Sequence, residues 1–254
     1  MNISVDNLSF SYNNNEQVLK EVSFSVNSGD FLSVLGPNGS GKSTLFKCML
    51  GRFSNYSGTV AIDNKNINNI GKKEMSRYVA YIPQHYQSIY DFTVLETVLM
   101  GTARTISPVS TPKDKQFETA YAALAELKID SLATKHMSNI SGGEKQLVYI
   151  ARALAQNAKA LIMDEPTSAL DIGHQIQVLN HIKSLANKGY IIIMSTHDPS
   201  FALNYSDYVL AIKDGSMLAF GDSTEVMTPK LLSDLYDLPL GLIEKDGQRI
   251  LYPI

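Results

Sequence analysis

Ile3, Val5, Leu8 and Phe10, and then Val22, Phe24 and Val26, predict two strands that are apolar on one face. A third strand is predicted over Phe31–Leu35, running straight into a glycine-rich turn at Gly36, with further strands over residues 59–62 and 78–82. Residues 161–163 and 191–194 are unbroken apolar runs, the pattern of parallel strands buried on both faces. Between them, Ile176, Leu179, Ile182 and Leu185 line one side of a helix predicted over residues 175–188 and ended by Gly189. Strand, helix and strand at this spacing make a βαβ unit, so the chain reads as α/β.

The stretch from Val94 to Asn157 reads differently, with helical patterns and no strand. Thr93 is placed to cap a helix, with Glu96 completing a capping box. Phe117, Ala120, Tyr121 and Leu124 recur at helical spacing, as do Leu147, Ile150, Ala151 and Leu154. Residues 107–112, with two prolines, read as a loop. The expectation is one domain over residues 1–254, with residues 1–84 and 157–254 forming an α/β core and residues 85–156 an inserted helical subdomain. Asp214-Gly215 and Asp246-Gly247 each sit between short apolar runs and predict two hairpins, the second C-terminal.

Composition narrows the possibilities. A chain of 254 residues can bury a full core without a disulfide or metal staple, and its one cysteine, Cys48, excludes an intramolecular disulfide. With 22 basic and 25 acidic residues the net charge is −3, which gives no support to a nucleic-acid binder or a polybasic anchor. The longest hydrophobic run, Ala120 to Ala125, is far shorter than the roughly 18 residues a spanning helix needs. The N-terminus lacks the pattern of a signal peptide. A soluble cytoplasmic protein is expected, able to dock on a membrane partner.

Three motifs carry chemistry. Gly36, Pro37, Asn38, Gly39, Ser40, Gly41, Lys42, Ser43 and Thr44 match the phosphate-binding loop G-x-x-x-x-G-K-[ST], between a strand and a helix bearing Leu45, Met49 and Leu50. Its glycines let successive N–H groups wrap an anion, Lys42 reaches the β- and γ-phosphates, and the Ser43 hydroxyl suits Mg²⁺. The strand 161–163 ends in Asp164, suited to Mg²⁺ through water, and Glu165, placed to orient or deprotonate an attacking water. Ser141, Gly142, Gly143, Glu144, Lys145 and Gln146 open a helix and form a second anion cradle. Two cradles about a hundred residues apart are one more than a single nucleotide per monomer explains.

With Gln84 after a strand, Ser168 to Asp171, and His197, these motifs resemble the ATP-binding subunit of an ABC transporter over nearly the whole chain, in order and spacing. The resemblance implies a P-loop NTPase (RecA-like) core with an N-terminal antiparallel β subdomain and an inserted helical subdomain. It implies ATP as substrate, Mg²⁺ as cofactor, and a head-to-tail homodimer in which the second cradle of one chain closes on the γ-phosphate held by the other. Residue by residue, it implies that Tyr12 stacks on adenine and that Gln84 touches Mg²⁺ or the water and relays to the membrane partner. Ser141, Gly142, Gly143 and Glu144 act in trans, Asp171 contacts the opposite P-loop, and His197 holds the γ-phosphate and Glu165 in register.

Finer stretches, including Pro83-Gln84-His85, Thr93 to Gly101 and His174-Gln175, resemble importers of iron chelates, haem and cobalamin, with molybdate among the possible cargoes. Two residues depart from that pattern: Thr102 stands where an arginine is common, and Glu144 replaces the usual glutamine. Import implies a multi-helix permease, an extracytoplasmic substrate-binding protein, and a place on the cytoplasmic face of the membrane. An exporter ATPase and a soluble ABC protein are the alternatives. The aromatics Tyr86, Tyr90 and Phe92, among residues 85–92, predict a groove for a short permease helix, built with the helix at 94–100. His85, His136, His174 and His181 are expected to be structural or at the surface, and Cys48 to be core.

Overall fold

The computed structural model describes residues 1–12, 16–84, 86, 90–105, 111–245 and 247–254. In chain order the elements are β1 (Asn2–Ser11), β2 (Gln17–Asn27), β3 (Phe31–Leu35), α1 (Lys42–Met49), β4 (Ser57–Ile62), β5 (Lys65–Asn66), α2 (Lys72–Tyr78) and β6 (Val79–Ile82). Next come α3 (Val94–Leu99), α4 (Asp114–Glu126), α5 (Gly142–Ala155), β7 (Ala160–Met163), α6 (Ile172–Asn187) and β8 (Ile191–Thr196). The chain ends with α7 (Pro199–Tyr205), β9 (Tyr208–Lys213), β10 (Ser216–Asp222), α8 (Ser223–Val226), α9 (Pro229–Tyr236), β11 (Leu240–Lys245) and β12 (Gln248–Pro253).

The main sheet runs β5-β4-β1-β2-β10-β9-β3-β8-β7-β6. Its β9-β3-β8-β7-β6 half is parallel throughout, while β1 pairs antiparallel with both β2 and β4. The unbroken apolar runs of β7 and β8 divide by alternation. Leu161, Met163, Ile192 and Met194 enter one core with α3, α4, α5 and α6, and Ile162, Ile191 and Ile193 enter the other with α1 and β1. Both faces are therefore dry, as the sequence pattern predicts. A third, smaller core gathers Leu35, Ala202, Val209, Met227, Leu232 and Leu235 under α7 and α9.

Two expectations shift on the structure. Tyr78 does not start a strand but closes α2, a helix whose one buried residue is Met75 and whose apolar stripe is therefore too thin to read. The helix expected at 175–188 begins a turn earlier, at Ile172, because Asp171 accepts the His174 N–H and caps it. Of the loop expected at 107–112, residues 107–110 lie outside the described residues, as do His85, residues 87–89 and Asp246 of the second hairpin turn. Cys48 is fully buried, and burial pushes its thiol up to about 12. Among the described residues no helix is long and apolar enough to cross a membrane.

Candidate active site

The parallel strands β3, β8, β7 and β6 end side by side, and the phosphate loop, His197, the pair Asp164-Glu165 and Gln84 follow their C-terminal tips, while Tyr12 follows β1. After β3 the chain turns into α1 through Gly41, whose φ of +105° suits glycine and leaves the helix start without a side-chain cap. The first-turn N–H groups of α1 are therefore open to an anion. Ser40 is 3% exposed and its Oγ has no hydrogen-bond partner among the described residues. Lys42 folds back so that its Nζ donates to Gly36 O at 2.7 Å and Pro37 O at 3.0 Å. Burial pulls the Lys42 ammonium below its ordinary value, and the carboxylates of Glu165 and Asp164 pull it back up. A lysine resting on carbonyls, an unpartnered buried hydroxyl and an uncapped helix are what a bound phosphate would satisfy.

A cleft of about 470 Å³ opens above this turn, lined by Tyr12, residues 38–44, Gln84 and Glu165 among others. Tyr12 is 51% exposed at its mouth, held edge-on by Phe10 and Phe53, with its hydroxyl 3.0 Å from Thr44 Oγ1. One ring face is thus available to a flat ligand.

Glu165 is the point where the elements meet. Gln84 Nε2 donates to its Oε2 at 3.0 Å, His197 Nδ1 lies 3.4 Å from the same oxygen, and Lys42 Nζ lies 3.8 Å from Oε1. The Glu165 backbone sits at φ +46°, a left-handed conformation rare for this residue type and common at functional sites. Asp164, 6% exposed, is fixed through both carboxylate oxygens: Ser195 Oγ donates to Oδ1 at 2.7 Å, and Tyr81 OH reaches Oδ2 at 3.4 Å. Burial pushes the Tyr81 phenol up to about 12, with Asp164 adding to the shift.

The second cradle lies outside the residues lining that cleft. Ser141 caps α5: its Oγ accepts the Glu144 N–H at 3.2 Å, and Glu144 Oε2 accepts the Ser141 N–H at 2.7 Å. The Ser141 N–H holds the Glu144 carboxyl below its usual range. Glutamate thus serves the local turn. His174 is structural, one of the two roles expected for it: its Nδ1 lies 2.6 Å from Asp171 Oδ2 and its ring packs on Gly143. A Cβ at Gly143 would come 2.3 Å from His174 Cδ2, so a contact within the chain favours glycine there.

Ser195, Tyr81, His174 and Tyr236 were not legible as site residues. Tyr236, on α9, donates to the backbone carbonyl of His197 at 2.9 Å and so steadies the histidine from behind. The signal at Ser195 is a hydroxyl inside an apolar strand, two residues before His197. The aromatic stretch does line a cavity of about 190 Å³, with Tyr86, Tyr90, Phe92, Met100, Met137, Tyr149 and Arg152 in its wall. Tyr86 is stacked on Tyr149 at 3.8 Å with the Arg152 guanidinium 5.2 Å from its ring, whereas Tyr90 is 71% exposed. Tyr86 is thus part of the wall's own packing.

The ABC transporter family model matches residues 19–168, more than half of the chain. A Helicobacter pylori protein named as an iron chelatin transport ATP-binding protein is 36% identical over 256 residues, covering 100% of both chains. The hemin import ATP-binding protein HmuV of Nocardia farcinica is 34% identical, over 94% of this chain and 83% of its own. Among solved structures, a metal-chelate type ABC transporter in an inward-facing conformation superposes with a TM-score of 0.88 at 31% identity, covering 99% of this chain and 97% of that one. The chain belongs to the ABC transporter family and is one of its ATP-binding, ATP-hydrolysing subunits.

Proposed function

We propose that two copies of this chain close head to tail on two ATP molecules and drive import of a metal chelate through a separate permease. The observation that carries the reading is the convergence of Gln84, His197 and Lys42 on the Glu165 carboxylate at the rim of the phosphate-loop cleft. In it, Tyr12 stacks on adenine, residues Gly36 to Thr44 hold the phosphates, and Lys42 exchanges its carbonyl partners for the β- and γ-phosphate oxygens. Glu165 takes the proton of the attacking water as its oxygen bonds to the γ-phosphorus and the bond to ADP breaks. His197 holds Glu165 and the γ-phosphate in register.

The donor set suits Mg²⁺, a hard cation that takes oxygen ligands. Ser43 offers its hydroxyl and Asp164 a carboxylate fixed by Ser195 and Tyr81. Gln84 gives its amide nitrogen to Glu165, so its carbonyl oxygen is the atom it offers a cation. When bound, Mg²⁺ offsets the charge developing on the phosphate oxygens.

The second cradle supports the dimer. Ser141, Gly142, Gly143 and Glu144 stand away from the chain's own cleft, so they would act on the partner's nucleotide, with Asp171 against the partner's phosphate loop. The aromatic cavity would receive a cytoplasmic helix of the permease, sensing nucleotide through Gln84. Residues 85–156 would then be the docking subdomain, the chain would lie on the cytoplasmic face of the membrane, and an extracytoplasmic binding protein would deliver cargo. The names of the iron chelatin and haemin relatives support a metal chelate as that cargo.

Mixed mutants test this. Lys42→Ala weakens nucleotide binding, and Ser141→Arg blocks closure. A mixed dimer gathers both lesions in one site and leaves the other intact. Partial ATPase activity on mixing, absent from either variant alone, is expected; no recovery in well-exchanged mixtures counts against head-to-tail pairing.

A further inference from the structure

β8 is apolar until its last two residues, Ser195 and Thr196. Thr196 Oγ1 accepts the Asp198 N–H at 3.0 Å and so serves its own turn. Ser195 reaches across to the neighbouring strand. The parallel register sets Met194 beside Met163, which brings Ser195 alongside the two residues that follow β7, Asp164 and Glu165. Its hydroxyl makes two bonds there. It donates to Asp164 Oδ1 at 2.7 Å and accepts the Glu165 backbone N–H at 2.9 Å.

The bond to Asp164 is buried, with Ser195 0% and Asp164 6% exposed, and the bond to the Glu165 N–H is part-buried. On its other side Glu165 is also held, because the Ser168 hydroxyl donates to its carbonyl at 3.1 Å. A glutamate at φ +46° persists only where its neighbours fix it, and Ser195 supplies the bond on the N–H side. An apolar residue at 195 would leave an oxygen of Asp164 and the Glu165 N–H without this partner. The same strand end carries His197, 3.4 Å from the Glu165 carboxylate.

We infer that Ser195 is a positioning residue that couples the two acids, fixing the Asp164 carboxylate and the Glu165 backbone through one hydroxyl. The tip of β8 then holds Glu165 at both ends, by its N–H through Ser195 and by its carboxylate through His197. This rests on the reading in which Asp164 serves Mg²⁺ and Glu165 the attacking water.

The test uses the full chain with Ser195→Ala, Ser195→Cys, Ser195→Thr and Asp164→Asn. Mn²⁺ is the probe, titrated by electron paramagnetic resonance in the presence of a non-hydrolysable ATP analogue. Binding of a fluorescent ATP analogue in EDTA supplies the metal-free reference. Ser195→Ala is expected to weaken Mn²⁺ binding about tenfold or more, the usual range for a group that orients a metal ligand. Metal-free nucleotide binding should stay within about twofold, because Ser195 does not line the nucleotide cleft. Ser195→Thr, which keeps the hydroxyl, should restore Mn²⁺ affinity. If the alanine variant is not recovered folded, Ser195→Cys carries the test, its weakly bonding thiol giving a smaller loss in the same direction.

An unchanged Mn²⁺ affinity in Ser195→Ala, with Asp164→Asn strongly weakened, overturns the inference and leaves the metal reading standing. Equal losses with and without metal also overturn it, since they assign Ser195 to the fold of the cleft. Unchanged Mn²⁺ affinity in Asp164→Asn itself overturns the reading beneath it.

Discussion

Gly143→Ala isolates a constraint that lies inside one chain. The added Cβ would stand 2.3 Å from His174 Cδ2, 2.7 Å from Cγ and 2.9 Å from Cβ. The ring cannot simply swing aside, because Nδ1 is tied to Asp171 Oδ2 at 2.6 Å and Asp171 is the cap of α6. Even a ring that moved would leave His174 Cβ in place, so α5 and α6 must separate. Overpacking of this kind costs about 1–3 kcal/mol. Against it, alanine is favoured over glycine in a helix by about 0.5–1 kcal/mol. The net expected loss is about 1 kcal/mol, or roughly 2–4 °C in melting temperature for a chain of this size. His174→Gly removes all three contacts, so in that background Gly143→Ala should stabilise by about 0.5–1 kcal/mol. Denaturant melts of the four proteins in this cycle give the coupling directly. An equal effect of Gly143→Ala in both backgrounds would refute the packing argument.

Glu165→Gln should keep ATP binding and lower steady-state hydrolysis by about 10²- to 10⁴-fold, since the amide keeps the shape but cannot accept the water's proton. Turnover within about threefold of the parent would assign the base elsewhere. Tyr90→Ala should leave the isolated subunit's ATPase unchanged and weaken co-purification with the permease. Tyr86→Ala should in addition lower the melting temperature, because Tyr86 is stacked on Tyr149.

What the chain discloses in its sequence depends on how far apart the partners lie. The phosphate loop is nine consecutive residues, and the acids of β7 follow an apolar run, so both are legible by local spacing. The supports of those residues are remote. Ser195 is 31 residues from Asp164, and Tyr236 is 39 residues from His197, with no periodicity linking either pair. The parallel order of β3, β8 and β7 brings the first pair together, and the docking of α9 the second. The helices α7 and α9 carry caps, Asp198 before Pro199 and Thr228 before Pro229, and bury Phe201, Ala202, Leu203, Leu232 and Leu235, but at seven and eight residues each spans only about two turns, too short for its apolar side to establish a period in the sequence. Tyr78 misleads for a related reason: an aromatic next to Val79 looks like strand, while in the structure it is the last residue of α2, a helix with one buried residue, Met75.

Glu144 shows the opposite case, where a local signal was present and a stronger one stood over it. Thr93 and Glu96 form a capping box, legible from their spacing alone and present at the start of α3. Ser141 and Glu144 have the same spacing and make the same box at the start of α5. Seen as part of an anion cradle, Glu144 is a departure from the glutamine of the family pattern. Seen as the third residue of a helix, it is a residue that accepts the Ser141 N–H, and the helix dipole favours its charge there. The two descriptions are compatible because they concern different atoms. The carboxylate occupies the Ser141 N–H, while the Ser141 hydroxyl accepts from Glu144 N and keeps its own proton to donate. The replacement therefore preserves the turn that presents Ser141 and Gly143 and changes the charge beside them. Shape at this turn is set by hydrogen bonds that either residue can make, and only the charge distinguishes the two.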